Sequence, residues 1–137
     1  VCRRYAELLL RFPTDVVFMG ICENTHIAFN DPHVAKFNDP EMVKVVDLDM
    51  ACRQQQVNDG CFSSLETVPA TAITLTIPAL MKGEHIFCVV PGKTKAQAIY
   101  HTIKSDINER YPSTILRTHP SAELFIDRDS AALLQME

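Results

Sequence analysis

The chain has 137 residues, with 13 basic and 17 acidic side chains and a formal net charge of −4. That balance provides no broad positive field, which argues against a nucleic acid or an anionic membrane as partner. The length suffices for one domain with a real core, and 47% hydrophobic with 22% charged residues is ordinary for a soluble globular protein.

Taken in order, Cys2–Arg11 carries Tyr5, Leu8 and Leu9 at helical spacing and predicts a helix tail that Pro13 ends. Basic residues precede its apolar stretch, but the stretch is too short and too charge-flanked for a signal peptide. Asp15–Ile21 predicts a buried strand, and residues 22–42 a long polar loop with Asn-Asp-Pro twice, a strong turn signal. Val43–Leu48 predicts a short strand, Asp49–Asp59 a polar helix, and Ala70–Ile77 a β-branched, alternating strand. Pro78–Lys82 starts a short helix, and His85–Val90 is a buried strand. Pro91–Lys95 is a turn, and Ala96–Ile107 an amphipathic helix with Ile99, Ile103 and Ile107 on one face. Ser113–Arg117 and Glu123–Ile126 predict short strands, and Ser130–Leu134 a terminal helix behind a capping serine or aspartate.

Strand, loop and helix recur as expected for crossovers in a mainly parallel sheet. The predicted fold is therefore α/β, three-layer and Rossmann-like. No Gly-x-Gly-x-x-Gly is present, so no dinucleotide cofactor is expected. Strands outnumber full-length helices, and the chain starts inside a helix, which reads as part of a larger fold. The longest apolar run, Ile86–Val90, is strand-sized, so no membrane span is expected. The five cysteines are an odd number without paired spacing and read as reduced thiols of a cytoplasmic protein. His33, His85 and His101 show no ligand spacing, so no metal is expected.

Two segments could carry chemistry. The first is Gly20–Pro32, GICENTHIAFNDP, where a buried strand empties into a polar loop. It holds His26 with Glu23 and Asp31 nearby. A carboxylate that fixes one imidazole nitrogen leaves the other free for proton transfer. Cys22 reads as a small buried residue. The second is Gly92-Lys93-Thr94-Lys95, between a strand and the helix at Ala96. Backbone N–H groups and the helix dipole make such a junction an anion site. A nucleotide-type phosphate loop needs a glycine where Phe87 stands, which weakens that alternative.

Gly20–Pro32 resembles the active-site motif of the glucosamine-6-phosphate deaminase/isomerase family, usually Asp-Gly-His-Ile-Ala-Phe-Asn-Glu-Pro. A subgroup labelled isomerase-like carries Glu-Asn-Gly-His-Ile-Ala-Phe-Asn-Asp-Pro, and Thr25 replaces its glycine here. The resemblance runs over residues 1 to about 134 and aligns with the C-terminal half of the family. It implies a single-domain portion without cofactor, acting on an amino-sugar phosphate in carbohydrate metabolism. The family reaction opens the ring, moves a proton between carbons 1 and 2, and releases ammonia to give fructose 6-phosphate.

The resemblance makes His26 the ring-opening residue and Asp31 its orienting acid. Asn24 stands where most members have an aspartate of the acid–base network, and Glu23 beside it could supply a carboxylate. Asn24 hydrogen-bonds but accepts no proton at neutral pH. If the turn needs positive φ at Thr25, a β-branched residue there costs on the order of 1–2 kcal/mol. Lys95 matches the phosphate lysine of the family's Gly-x-x-Lys, with Gly92 opening the motif. A phosphate arginine falls near Arg53, although ungapped register puts Gln56 there. Because the family's proton-shuttling aspartate lies in the N-terminal half, this chain alone is expected to be catalytically silent. The sister 6-phosphogluconolactonases share a similar motif but continue it differently, and a non-catalytic sugar-phosphate-binding relative is the second alternative. A homo-oligomer is compatible with the resemblance.

Overall fold

The computed structural model describes residues 1–134. Helix α1 (Cys2–Arg11) leads to β1 (Val16–Met19), and a long loop separates β1 from β2 (Val43–Asp47). Then follow α2 (Met50–Asn58), β3 (Thr71–Leu75), α3 (Ile77–Met81), β4 (His85–Val90), α4 (Ala96–Lys104) and β5 (Ala122–Ile126). The expected α/β architecture with a mainly parallel sheet is present. β4 lies between β1 and β5 and pairs parallel with both, Phe18 opposite Phe87 and Val89 opposite Phe125.

Burial explains the sheet's orientation. Ile86, Cys88 and Val90 alternate along β4 and are at most 2% exposed. They pack with Ile77 and Leu80 of α3, Ala98 and Ile99 of α4, and Leu116. Period two on the strand and 3.6 on the helix bring these positions to one interface. The opposite face is apolar but open. Val16, Phe18, Val89 and Phe125 are exposed, and Phe87 stacks on Phe18 at 5.5 Å and lies 6.4 Å from Phe125. The imbalance of strands over helices read from the sequence has this bare face as its physical counterpart.

Three expectations are corrected. β2 and β3 do not join the parallel sheet but form their own antiparallel ladder, Val43 opposite Leu75. Alternation marks a strand without naming its partner. Ser113–Arg117 is not a strand but part of a 3₁₀ turn over Pro112–Thr118. Proline's fixed φ suits its first position, and the buried Ser113 donates its N–H to the Thr25 carbonyl at 3.0 Å. Residues 128–134 form turns rather than a helix. There Asp127 Oδ1 accepts from Ser130 N at 2.8 Å, while Ser130 Oγ accepts from Asp127 N at 3.2 Å.

Candidate active site

The chain's chemistry gathers where β1 and β4 end side by side. Parallel strands place their carboxyl ends at one edge, and the loops leaving them frame a crevice. A cleft of about 410 Å³ opens there, walled by Gly20, Cys22, His26, Phe29, Val90, Pro91 and Lys95, together with Gln55 and Gln56 of α2 and Asp59 just past its end.

The loop after β1 is held rigidly. Asn30, fully buried, donates from Nδ2 to the carbonyls of Ile27 (3.0 Å) and Leu75 (2.8 Å). Phe29 N donates to Thr74 Oγ1 at 3.0 Å, tying the loop to β3. Within this frame His26 is 1% exposed and its Nδ1 lies 2.6 Å from Asp31 Oδ1, with Asp31 fully buried. The carboxylate sits off the ring's N–H axis, so the contact is a close ion pair rather than an in-line hydrogen bond.

Burial opposes charge on the His26 ring, but Asp31 and then the hydrogen-bonding Cys22 side chain outweigh it and push the pKa up to about 9. The ring is thus an imidazolium at neutral pH. Burial likewise opposes charge on Asp31, yet contacts from His26 and Asn24 hold its carboxyl below the usual range. Burial first, then the nearby Asp31 and Asp49 carboxylates, push the Cys52 thiol up to about 12.

No family model matches the chain. Glucosamine-6-phosphate deaminase of Bacillus cereus is 34% identical over 132 residues, 96% of this chain and 48% of the relative. The Listeria welshimeri enzyme of the same name is 35% identical over 133 residues, 97% of this chain and 55% of the relative. A solved monomeric glucosamine-6-phosphate deaminase, described as a missing link of the NagB superfamily, superposes with a TM-score of 0.90. It is 33% identical, over 96% of this chain and 53% of that one. Over nearly its whole length this chain matches about half of a glucosamine-6-phosphate deaminase. It spans about half the length of the curated relatives it matches. A 6-phosphogluconolactonase from Leishmania guyanensis, 18% identical with a TM-score of 0.73 over 99% of this chain and 53% of that one, shares the fold.

Against the deaminase motif, the structure brings His26, Asp31 and Asn24 together. Asn24 Nδ2 donates to Asp31 Oδ1 at 2.9 Å, and its Oδ1 accepts from His26 N at 3.1 Å. Asn24 is therefore a clamp that positions both partners. Glu23 does not join them. It is exposed, and its N–H reaches Gln55 Oε1 at 3.5 Å, because adjacent residues on this turn point apart. The Asp31 carboxylate serves His26 instead.

The other expectations divide. Lys95 lines the cleft with His26, while Lys93 is exposed. Gly92 has φ 99°, and its N–H donates to both carboxylate oxygens of Asp127 at 3.1 Å, so it is spent on the turn rather than free for an anion. Arg53 is absent from the cleft wall. Its guanidinium clasps the carbonyls of Leu65 and Val68 at 3.0 Å each, and Gln56 occupies the wall. Cys22 is half-buried and lines the cleft beside His26, not the core, and its N–H donates to the His26 carbonyl at 3.1 Å. Gln55 and Asp59 carried no signal in the sequence, since polar residues on a short helix look solvated.

Thr25 does not line the cleft either. It is 2% exposed, and its hydroxyl donates to the Asn24 carbonyl. Its φ of 70° meets the condition under which a β-branched side chain is strained. Thr25→Gly is expected to raise stability by on the order of 1 kcal/mol, strain relief exceeding the loss of a small buried methyl. The urea midpoint of the variant measures it, and a lower midpoint would show the turn is held by threonine's packing.

His26, Asp31 and Cys52 each place one donor atom within 4.8 Å of the others, as do Asp31, His33 and Asp49. Asp31 Oδ1 already faces His26 and the Asn24 amide, and Oδ2 accepts from Asp49 N at 3.4 Å. A cation would have to displace a proton and these bonds, so the donor set fits a hydrogen-bonded cluster better than a metal. Among the described residues no helix is long and apolar enough to cross a membrane.

Proposed function

We propose that this chain supplies the histidine side of a glucosamine-6-phosphate deaminase active site. The substrate is an amino-sugar phosphate, and the products are a ketose phosphate and ammonia. The observation that carries the reading is the buried His26–Asp31 ion pair on the wall of a cleft at the strands' carboxyl ends, with Lys95 on the same cleft. An imidazolium held by a carboxylate is a proton donor poised for the ring oxygen of a cyclic sugar. Lys95, at the junction of β4 and α4, offers a cation to the phosphate.

The chain corresponds to the C-terminal half of one domain, and the proton shuttle between carbons 1 and 2 belongs to the remainder. The free thiols fit a reducing, cytoplasmic setting. Asn24, which holds Asp31 but accepts no proton, favours the second reading, a relative that binds sugar phosphate without turnover. Ammonia release from glucosamine 6-phosphate by a full-length protein carrying this segment separates the two. Binding without ammonia would establish the second.

The two lysines offer a sharper check on the phosphate grip. Lys95→Ala in that full-length protein should raise KM roughly 10- to 100-fold and change kcat little, because a phosphate contact is largely uniform binding. Lys93→Ala should leave both near the parent values. Equal effects, or a dominant effect from Lys93, would show that the lysine register is wrong.

A further inference from the structure

Asp59 and Lys95 carry opposite charges and line the same cleft, yet the proposed reaction uses only the lysine. They come from different elements, Lys95 from the residue before α4 and Asp59 from the residue that ends α2. Neither is in an ion pair. Among the described residues those pairs are His26–Asp31, Lys44–Asp39 and His85–Glu84. The His26 ring on the same wall is already held by Asp31 at 2.6 Å. One free cation and one free anion therefore face a single space. Asp59 is exposed, but the buried Gln55 steers it. Gln55 Nε2 donates to Asp59 Oδ2 at 3.4 Å, and Gln55 Oε1 accepts from the Glu23 N–H at 3.5 Å. These two long hydrogen bonds link the carboxylate to the loop that carries His26.

We propose that Asp59 makes this cleft select an amino sugar, its carboxylate receiving the substrate's ammonium group while Lys95 receives the phosphate. The assignment rests on reading the cleft as a sugar-phosphate site. An amino-sugar phosphate is a zwitterion, and its amine on carbon 2 and its phosphate on carbon 6 leave opposite sides of the ring. A cleft with one unpaired charge of each sign complements it. A sugar phosphate with a hydroxyl on carbon 2 offers Asp59 one neutral donor in place of a charged group with three. It also brings the negative phosphate into a cleft whose carboxylate stays uncompensated, which disfavours it.

The test is calorimetric titration, at pH 7, of a full-length protein carrying this segment. The probes are 2-amino-2-deoxyglucitol 6-phosphate and glucitol 6-phosphate, which differ only in the group on carbon 2 and have no ring or carbonyl to turn over. The amino probe should bind about tenfold more tightly. Asp59→Asn keeps the shape and an acceptor oxygen but removes the charge. It should abolish that preference by weakening the amino probe about tenfold, and leave glucitol 6-phosphate within about twofold of the parent. Lys95→Ala should weaken both probes alike. If Lys95→Ala does so but Asp59→Asn changes both probes equally, or neither, the assignment of Asp59 is overturned and the phosphate site stands. If Lys95→Ala weakens neither probe, the reading of the cleft fails, and the assignment of Asp59 fails with it.

Discussion

Replacing His26 with glutamine in a full-length protein carrying this segment is expected to lower kcat by roughly 10²- to 10⁴-fold, the scale of a removed general acid. KM for glucosamine 6-phosphate should move far less. The reason lies in the charge of the ring. Asp31 and Cys22 outweigh burial and hold its pKa up to about 9, so the donor is charged throughout the neutral range. Glutamine keeps hydrogen-bonding capacity and similar bulk but delivers no proton. The deficit should be largest for the closed-ring sugar, whose opening needs the proton. A variant that turns over within about tenfold of the parent would remove His26 from the proton transfer and leave it a structural residue.

Asp31→Asn is expected to destabilise the fold by about 3–5 kcal/mol at pH 7, because it strips the counter-ion from a buried charge. Asparagine removes the largest of the influences that oppose burial, and burial favours the neutral ring. The pH dependence identifies the cause. Below pH 6.5 the His26 ring is charged in both folded and unfolded chains, and its contribution is complete. Between about 6.5 and 9 the unfolded ring loses its proton first, and the contribution declines. Above about 9 it is gone. The shift from 6.5 to about 9 corresponds to about 3 kcal/mol. Asp31, whose folded pKa is lowered, contributes above the ordinary carboxylate range, and that contribution is lost as pH falls through the lowered value. Urea unfolding of the parent should therefore weaken from pH 6.5 to 9, and the Asp31→Asn chain should lose that slope. A variant that keeps both the stability and the slope would show that the pair contributes little to folding.

Much of the fold could be read from the chain because it is written in local pattern. The strand His85–Val90, buried on one face only, the amphipathic Ala96–Lys104 and the helix Cys2–Arg11 are set by periodicity, and Pro13 stops the last of these. The misreadings share a cause. Ser113–Arg117 is β-branched in part, yet its backbone bonds to Thr25 far along the chain, and proline had already set a turn. The β2–β3 ladder separated from the parallel sheet because alternation carries no information about the neighbouring strand.

The candidate site divides the same way. A histidine in a polar loop after an apolar strand, with an aspartate five positions on, was determined by the sequence alone. So was the placement of a lysine where β4 meets α4. That the strand before the loop, Val16–Met19, is open on one face and only half-buried on the other was not. Which groups meet was decided by tertiary structure. Glu23 and Asn24 are neighbours, but the turn sends one outward and makes the other a clamp on Asp31. Arg53 and Gln56 lie one helical turn apart on α2, and packing spends the arginine on two loop carbonyls and gives the glutamine to the cleft. Cys22 reads as a small buried residue, but folding leaves it half-buried on the cleft wall. The physical reason is one of range. Propensity and periodicity act over a few residues, whereas the charge on His26 and the partners of each side chain depend on burial and on contacts between segments that only folding brings together.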